Sequence, residues 1–462
     1  MIKYNYFQIF MNNFISARNI FETVFSRNKL LIIILLISFG LSIFYSFYFQ
    51  ITPLVDARAY DNIAQNIVNG PGYKEDLSLD MEHDYAIARV GPLYEYFLAG
   101  IYKIFGHHYG AVWFLQALLH ALSAWLLYLT VLLVFSTNEK RKKIALWATA
   151  IFGFYPDLIE ISAMLMTETL SLFFVCLFLY LFFRFFIDTK NCWLVLLLGL
   201  ISGLAVLARP PVLFLLPIVY FLFFRKKLFW QAAVFSVALF LIFVPWTARN
   251  YKVYDEIMPF GAAGQFNFWI GNQPGGNGEQ EPTLQQQHFL ETHKATEINP
   301  ESMRQFKNFV FNYPAEFIKL TLLRINKYFS VIRPMGFWFY QHGLGQALFI
   351  FSSALASVFL FIFGLAGAIK AWRAKEVKLN YLLGFLVFTP LIIFATVVET
   401  RYRFQVYPLL AIFAGYFIAD FSKNSWLKSG ALKVSLLLVA LNGLADLLMS
   451  IERFKERINN FF

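Results

Sequence analysis

The sequence has little charge and almost no cysteine. Charged residues make up 15% of its 462 positions, and apolar residues make up 59%. A soluble globular protein carries about 25% charged residues, so this chain has too little charge to cover a water-exposed surface. A soluble enzyme is therefore excluded. The two cysteines, Cys176 and Cys192, fall in or beside apolar stretches, so no disulfide framework is expected.

Long apolar runs take the place of the missing charge. A helix that crosses a membrane needs about 20 mostly apolar residues, and such runs recur along the whole chain. We predict an all-α polytopic membrane protein with about eleven transmembrane helices. They lie near residues 30–50, 110–135, 144–158, 162–186, 192–208, 211–224, 229–246, 347–369, 380–398, 404–420 and 431–450.

The basic residues predict the orientation of these helices. If the N-terminus is inside, the inner segments hold 19 of the 39 Lys and Arg residues within 65 positions, against four acidic residues. The positive-inside rule favours this orientation, and it explains much of the net charge of +11 without nucleic acid. We therefore expect a multi-pass protein of the cell (inner) membrane. Two long loops carrying short interfacial helices, 51–109 and 247–346, then lie on the outer (periplasmic or extracellular) face.

The spans and loops divide the chain into regions. We predict a cytoplasmic segment (1–29), a transmembrane core that includes the first loop (30–246), an outer-face loop region (247–346), C-terminal transmembrane helices (347–450) and an interfacial tail (451–462). Residues 1–29 lack a small-residue cleavage site, so the first span is expected to be an uncleaved anchor. No internal repeat is found, which disfavours an inverted-repeat transporter.

The first outer loop opens with a predicted helix. Asp56 begins a pattern that places Tyr60, Ile63, Ala64 and Ile67 on one face, and Gly70, Pro71 and Gly72 end it. Asp56 therefore lies near the N-terminus of a helix at the membrane surface. Aspartate is a favourable N-cap residue without any further role. At a membrane boundary, it is also a candidate general base.

Several blocks of sequence follow one another in a characteristic order. The first loop reads Asp-x-x-x-Tyr-x-x-x-Ala, then Gly-x-Gly-Tyr and Arg-x-x-Pro. Further blocks stand at 164–174, 199–211, 245–253, 264–281 and 399–416. Together they resemble the GT-C superfamily of membrane glycosyltransferases. The nearest type is glycosyltransferase family 39, with its dolichyl-phosphate-mannose–protein mannosyltransferases and lipid A aminoarabinose transferases.

The resemblance implies a function. GT-C enzymes of this type take a sugar from a polyprenyl-phosphate donor and transfer it, with inversion, to an outer-face glycolipid, glycan or protein. By analogy, Asp56 is the catalytic base. Many members carry an adjacent acidic pair in the first loop where this chain has Asp56-Ala57, which puts a metal requirement in doubt. Arg89-Val90-Gly91-Pro92 stands where Arg-Pro-Pro is more usual.

Charged residues beside the apolar runs are candidates for substrate binding. Arg401 and Arg403 at an outer helix end could bind phosphate oxygens, or they could be interfacial anchors. Arg209 lies between two apolar runs, where it must be paired or reach water by snorkelling. Glu168 begins a span, where an acidic residue is favoured by the helix dipole or contacts the sugar or a metal. The predicted substrate-binding residues are Tyr60, Arg89, Glu168, Arg209, Asn272, Arg401 and Arg403.

The sequence assigns no definite cofactor. His288 and His293 are five residues apart, which misses the i, i+4 spacing of a helical zinc site. The acidic run at 74–84 is either solvated or binds a divalent ion through His83 and Asp84. A divalent metal ion thus stays open, and no metal ligand is assigned. The Gly-rich segment 273–282 is either an acceptor lid or a plain connector.

Two functions of different classes remain. One is a membrane glycosyltransferase whose partners are a polyprenyl-phosphate sugar, a cell-envelope acceptor and membrane lipids, with no nucleic acid. The alternative is a flippase or transporter for a lipid-linked saccharide. A flippase needs charged residues through the interior of the helix bundle to escort a polar head group. Only Arg209 is a clear mid-span candidate, so the sequence favours the transferase.

Overall fold

The part of the chain that the structure describes is mainly helical. The structure is a computed structural model, and it describes residues 28–89, 91–261, 263–280, 283–331, 340–420 and 429–451. These ranges contain no β-strand; Glu279 and Val398 form one isolated bridge. The predicted all-α class is therefore confirmed. The predicted N-terminal segment and C-terminal tail lie almost wholly outside the described residues.

The helices alternate between long apolar spans and shorter connecting helices. In chain order they are α1 Lys29–Phe49, α2 Asp56–Asn69, α3 Pro92–Phe105, α4 Tyr109–Val134, α5 Arg141–Gly153, α6 Pro156–Ser162, α7 Thr167–Ile187, α8 Cys192–Ala208, α9 Leu216–Arg225, α10 Phe229–Tyr254, α11 Ala263–Ile270, α12 Leu284–Thr292, α13 Ile298–Asn312, α14 Pro314–Phe329, α15 Gly343–Ala374, α16 Val377–Phe388, α17 Leu391–Ala395, α18 Tyr407–Ile418 and α19 Gly430–Met449. Short 3₁₀ helices cover Tyr85–Ala88, Pro210–Leu215 and Thr400–Val406.

The long apolar helices make this a polytopic membrane protein. Seven candidate spans in the described ranges are long and apolar enough to cross a membrane, namely α1, α4, α7, α10, α15, the segment Val377–Ala395, and α19. The pair α5 and α6, bent by 56°, could form an eighth. Two further apolar segments, Cys192–Ala208 and Pro210–Arg225, are shorter. Every predicted span falls on helix, but the count of eleven is not confirmed.

Glycine lets α8 and α10 pack closely. A Cβ atom built on Gly199 would lie 2.6 Å from the carbonyl oxygen of Phe235, and one on Gly203 would lie 2.9 Å from that of Leu239. Small residues four positions apart allow helix backbones to approach in a membrane. This contact fixes the path of α8, whose C-terminal end leads directly into Arg209.

The helix α2 has the limits that its sequence pattern predicts. It begins at Asp56, buries Tyr60, Ile63 and Ala64, and ends at Gly70, whose φ is +110°. A positive φ is inexpensive only for glycine, which explains why the helix stops there. Asp56 is the first helical residue and not the cap.

A buried carboxylate fastens α2 to its neighbours. Asp61 accepts hydrogen bonds from the hydroxyl groups of Tyr102 at 2.5 Å and Tyr109 at 2.8 Å. His107 Nε2 lies 3.0 Å from the same carboxylate. These partners come from α3, from the α3–α4 connection and from the first residue of α4. These contacts hold α2 against α3 and the start of α4.

Candidate active site

Side chains from distant parts of the sequence form one charged cluster. It contains three arginines and four carboxylates that contact one another in a chain of ion pairs. They come from the first turn of α2, the α2–α3 loop, the first turn of α7, the residue after α8, and the 3₁₀ helix before α18 together with its N-cap. We call these residues the charged cluster: Asp56, Glu75, Arg89, Glu168, Arg209, Glu399 and Arg401.

Asp56 lies at the centre of the cluster. Its Oδ2 is 2.9 Å from Nη2 of Arg401, and its Oδ1 is 3.5 Å from Nη1 of Arg89. Burial by itself raises the pKa of Asp56, but the charges of Arg401 and Arg89 outweigh burial and lower that pKa below its ordinary value. The positive end of the α2 dipole also favours the ionised carboxylate. Asp56 is therefore a carboxylate at neutral pH.

The backbone just before Asp56 is strained. Val55 has φ +49° and ψ −115°. A positive φ is an outlier for a β-branched residue and costs about 1–3 kcal/mol. This conformation sets the direction in which the chain enters α2 at Asp56.

Each arginine beside Asp56 has a second carboxylate of its own. The Nε of Arg401 donates to Glu399 at 2.8 Å. Arg89 holds Glu75 through two nitrogens, with Nε donating at 2.7 Å. Both guanidinium groups are thus anchored on one side, while a remaining nitrogen faces Asp56.

Glu168 and Arg209 form a buried ion pair next to Arg401. Nη1 of Arg209 contacts Glu168 and also donates to Oγ1 of Thr167 at 3.1 Å. Glu168 lies 3.9 Å from Nε of Arg401. The ring of Tyr402 is 5.4 Å from the guanidinium of Arg209 and 5.6 Å from that of Arg401, so both cations contact one aromatic ring.

A predominantly apolar cavity adjoins this ion pair. Its volume is about 660 Å³, and Arg209 and Tyr402 line it. Most of the remaining wall is apolar, including Leu213, Phe214, Met258, Phe260, Phe268 and Ile393. Nε of Arg209 is buried and has no hydrogen-bond partner among the described residues. The cavity thus combines a mostly apolar wall with one arginine in its lining.

Known proteins resemble this chain in sequence and in fold. Residues 89–248 match a family model described as dolichyl-phosphate-mannose-protein mannosyltransferase. None of the curated proteins matches.

Solved structures resemble this chain in fold. The oligosaccharyltransferase of Archaeoglobus fulgidus in its apo form is 14% identical with a TM-score of 0.53, over 91% of this chain and 55% of that one. The same organism's AglB, in complex with an inhibitory peptide and a dolichol-phosphate, is 16% identical with a TM-score of 0.51, over 91% and 55%. ArnT from Cupriavidus metallidurans bound to undecaprenyl phosphate is 15% identical with a TM-score of 0.49, over 91% and 65%.

The chain has the GT-C fold. It spans about half the length of the oligosaccharyltransferases it matches. The predicted resemblance to the GT-C superfamily is therefore confirmed. The segment that matches the family model includes Arg89, Glu168 and Arg209 but neither Asp56 nor Arg401. Asp56 and Arg401 are associated with that segment only through their contacts in the structure.

Five of the predicted substrate-binding residues lie in or against the charged cluster. Arg89, Glu168, Arg209 and Arg401 are members of it. Tyr60 is buried beneath it, with its ring centroid 5.6 Å from that of Tyr94. Burial and the charge of Asp56 raise the pKa of Tyr60 well above its ordinary value, so it stays a neutral phenol.

The structure does not bring the other two candidates to the cluster. Arg403 is buried and donates to the carbonyl oxygen of Ser330 at 2.6 Å. The amide nitrogen of Asn272 donates to the carbonyl oxygens of Phe268 and Ala395, at 2.7 and 2.9 Å, and its oxygen accepts from Arg324 at 2.6 Å. In this conformation both side chains serve the packing of the fold.

The Gly-rich segment of the second loop is fastened at several points. The backbone N–H of Gly275 donates to Glu316 at 2.6 Å, and Lys327 donates to the carbonyl oxygen of Asn277 at 2.9 Å. Val398 N–H donates to the carbonyl oxygen of Gly278 at 3.0 Å. These contacts tie residues 275–278 to α14 and to the segment just before the 3₁₀ helix.

Sequence reasoning missed three residues of this site. Glu399 stands two positions before Arg401, and that spacing could have indicated a local acid–arginine pair. Tyr402 lies between the two arginines that were singled out, and its contact with Arg209 depends on the fold. Glu75 meets Arg89 across 14 positions of irregular loop, for which the sequence carries no periodic signal.

The donors in this site do not fit a divalent cation. Every cluster carboxylate has a guanidinium partner. Within the described ranges, no group of three or more His, Cys, Asp or Glu residues could hold a metal ion.

His83 and Asp84, the candidate pair for a divalent ion in the first loop, contact different groups. Nδ1 of His83 lies 2.8 Å from a carboxylate oxygen of Asp80, whereas Asp84 accepts from the backbone N–H groups of Glu75 and Ala86, at 3.0 and 2.8 Å.

Proposed function

We propose that this protein is an integral-membrane glycosyltransferase that moves a sugar from a polyprenyl-phosphate donor to an acceptor hydroxyl, with inversion. The acceptor is a glycolipid, a glycan or a protein at the outer (periplasmic or extracellular) face of the cell membrane. One observation carries the proposal: the carboxylate of Asp56 lies 2.9 Å from Arg401, inside the charged cluster, which borders an apolar cavity. A base and phosphate-binding cations therefore share one site.

Asp56 is the general base of the proposed reaction. The acceptor oxygen forms a bond to the anomeric carbon while the bond from that carbon to the phosphate oxygen breaks. The hydroxyl proton passes to Asp56, and the electron pair of the broken bond stays on the phosphate. The acceptor enters opposite the leaving phosphate, so the configuration inverts. A positioned base contributes about 10²–10⁴-fold to such a step.

Arg401 stabilises the charge that develops on the leaving phosphate. Negative charge disappears from Asp56 as the proton arrives, and it appears on the phosphate. A guanidinium that starts beside Asp56 and binds the phosphate compensates this charge where it develops, because its planar fork offers several donors. Arg209, which contacts the same tyrosine ring as Arg401, supplies a second donor for the phosphate. Electrostatic stabilisation of this kind is usually the largest catalytic contribution.

The apolar cavity is the proposed place for the first isoprenoid units of the donor. Its wall is mostly apolar, and the buried Nε of Arg209 has no described partner. A lipid phosphate with its head group at Arg209 would place its chain along this apolar wall. The AglB structure in complex with a dolichol-phosphate supports this class of ligand for the fold.

The test is transfer by the purified protein in lipid. Radiolabelled polyprenyl-phosphate sugars serve as donors and a membrane extract serves as acceptor. Wild type is compared with Asp56→Asn and with Asp80→Asn, a matched control because Asp80 is an exposed carboxylate in the same loop. We expect transfer to fall at least about 100-fold in Asp56→Asn and to persist in the control.

Two outcomes would overturn parts of the proposal. Transfer retained in a folded Asp56→Asn variant rejects Asp56 as the base. A protein that transfers no sugar but moves a lipid-linked saccharide between leaflets is a flippase, the alternative that the sequence left open. A fluorescent or isotopically labelled lipid saccharide in sealed vesicles distinguishes these outcomes.

A further inference from the structure

The two arginines that face Asp56 are held in the same manner. Arg401 binds Glu399 through Nε and Asp56 through Nη2, at 2.8 and 2.9 Å. Arg89 binds Glu75 through Nε and Nη2, which leaves Nη1 for Asp56 at 3.5 Å. Each guanidinium therefore has one fixed carboxylate and shares Asp56 as its second partner.

This arrangement occupies both oxygens of Asp56. A carboxylate that accepts charge-assisted hydrogen bonds on each oxygen is a weak proton acceptor, because the bonds stabilise its ionised form. For Asp56 to take a proton from an acceptor hydroxyl, at least one of these contacts has to loosen. Arg401 makes the shorter contact, and its guanidinium shares the ring of Tyr402 with cavity-lining Arg209.

A phosphate at Arg209 would compete with Asp56 for Arg401. Three guanidinium groups face four carboxylates among the described members of the cluster, so there is no surplus of positive charge for an incoming anion. Arg401 contacts carboxylates through Nε and Nη2, so a phosphate oxygen that takes either donor displaces a carboxylate from it. Glu399 lies two residues away on the same segment and remains beside Arg401 during such an exchange.

We propose that Arg401 exchanges Asp56 for the phosphate of the lipid donor while Glu399, a positioning residue, keeps the guanidinium in place. Donor binding thereby frees the base, so the acceptor is activated only when a donor is present. The proposal rests on the function proposed above, since it takes the lipid phosphate as the competing ligand. It adds ordered binding and a role for Glu399.

Binding of undecaprenyl phosphate to the full chain in lipid nanodiscs tests the exchange without requiring turnover. If Asp56 competes with phosphate for Arg401, Asp56→Asn binds the lipid about tenfold more tightly than wild type, a size typical of coupled charged neighbours. In an Arg401→Gln background, the same Asp56→Asn change then has little effect. Glu75→Gln removes one negative charge from the same cluster and is the control for a general charge effect.

Glu399 is tested in the same assay. A positioning role predicts that Glu399→Gln weakens lipid-phosphate binding several-fold, although it removes a negative charge, and that Glu399→Asp partly restores it. A purely electrostatic role predicts that Glu399→Gln binds the lipid phosphate more tightly. Glu301→Gln removes the acid of an exposed Glu–Arg pair on α13 and should leave binding unchanged. Melting temperatures of all variants identify any that fail to fold, and the Asp56–Arg401 comparison stands without Glu399→Gln.

The outcomes separate this inference from the proposed function. The exchange is overturned, while donor binding stands, if Asp56→Asn leaves binding unchanged. It is also overturned if Asp56→Asn tightens binding equally in the Arg401→Gln background, or if Glu75→Gln tightens binding as much as Asp56→Asn does. Tighter binding by Glu399→Gln overturns the positioning role. If wild type does not bind undecaprenyl phosphate, the lipid-phosphate donor is rejected together with the exchange.

Discussion

The backbone of Gly91 lies directly against the carbonyl oxygen of Leu207, near the end of α8. A Cβ atom at position 91 would be 2.2 Å from that oxygen, a distance that real structures do not tolerate. The contact joins the loop that carries Arg89 to the helix end that carries Arg209. Glycine is needed at position 91 for close approach, which gives a structural reason for the Gly-Pro pair.

The first prediction concerns this contact. Gly91→Ala has to push the loop away from α8, and overpacking of this kind costs about 1–3 kcal/mol. We expect a lower melting temperature and a transfer rate reduced about tenfold or more, since a small misplacement at a reacting centre is costly. Gly100→Ala is the control, because position 100 on α3 has open space. Equal behaviour of the two variants would contradict the prediction.

The second prediction concerns the strain at Val55. Val55→Gly removes about 1–3 kcal/mol of backbone strain, partly offset by about 0.5–1 kcal/mol of glycine flexibility. The variant should be slightly more stable and yet less active, because Asp56 loses its fixed direction. Melting temperature and initial rate measure the two effects. Val68→Gly, at an exposed position of the same helix, should cost about 1 kcal/mol with little loss of rate. A destabilised Val55→Gly protein would show that position 55 carries no relievable strain.

The third prediction concerns the pH dependence of activity. Burial raises and the nearby arginines lower the pKa of Asp56, with a net decrease. The acid limb of kcat/KM for the donor reports the free enzyme, so it should lie below the ordinary aspartate pKa of about 3.9. Arg89→Gln removes a charge that favours the carboxylate, so the limb should move to higher pH by about one unit. Arg58→Gln, an exposed arginine on α2, serves as control. An unmoved limb would mean that another group titrates.

The fourth prediction separates Asp61 from Asp56. Asp61 accepts from Tyr102, Tyr109 and His107, so its oxygens are engaged in fastening α2. Asp61→Asn should lower stability by about 2–3 kcal/mol through buried partners left unsatisfied. It should reduce transfer only in proportion to misfolding, whereas Asp56→Asn should lose transfer while staying folded. Measuring rate per folded molecule distinguishes the two, and a complete loss in well-folded Asp61→Asn would favour Asp61 as the base.

The sequence predicted the helix that carries Asp56 better than it predicted the contacts within the site. The pattern from Asp56 to Gly70 is local, and it predicted the limits and packed face of α2. The roles of Glu75 and Tyr402 depend on how distant segments meet, which no local pattern encodes. The two arginines of the closing motif illustrate the same limit. A 3₁₀ helix has three residues per turn, so Arg401 and Arg403, two positions apart within Thr400–Val406, point in different directions.

Membrane spans were predicted from length and composition, and the difference in their count has a physical origin. The segment that includes Arg209 and Pro210 interrupts the apolar run between α8 and α9, which leaves two short helices. The apolar segment 144–158 is bent near its C-terminal end, between Gly153 and Pro156, where α6 starts. A hydropathy pattern detects apolar runs but not such breaks. Some segments therefore have the composition of a membrane span but form shorter helices.

The hydrogen bond between Gly278 and Val398 connects the second loop to the charged cluster. Val398 directly precedes Glu399, and residues 275–278 are also held to α14 through Lys327 and Glu316. A displacement of residues 275–278 would therefore act on the backbone beside the carboxylate that pairs with Arg401.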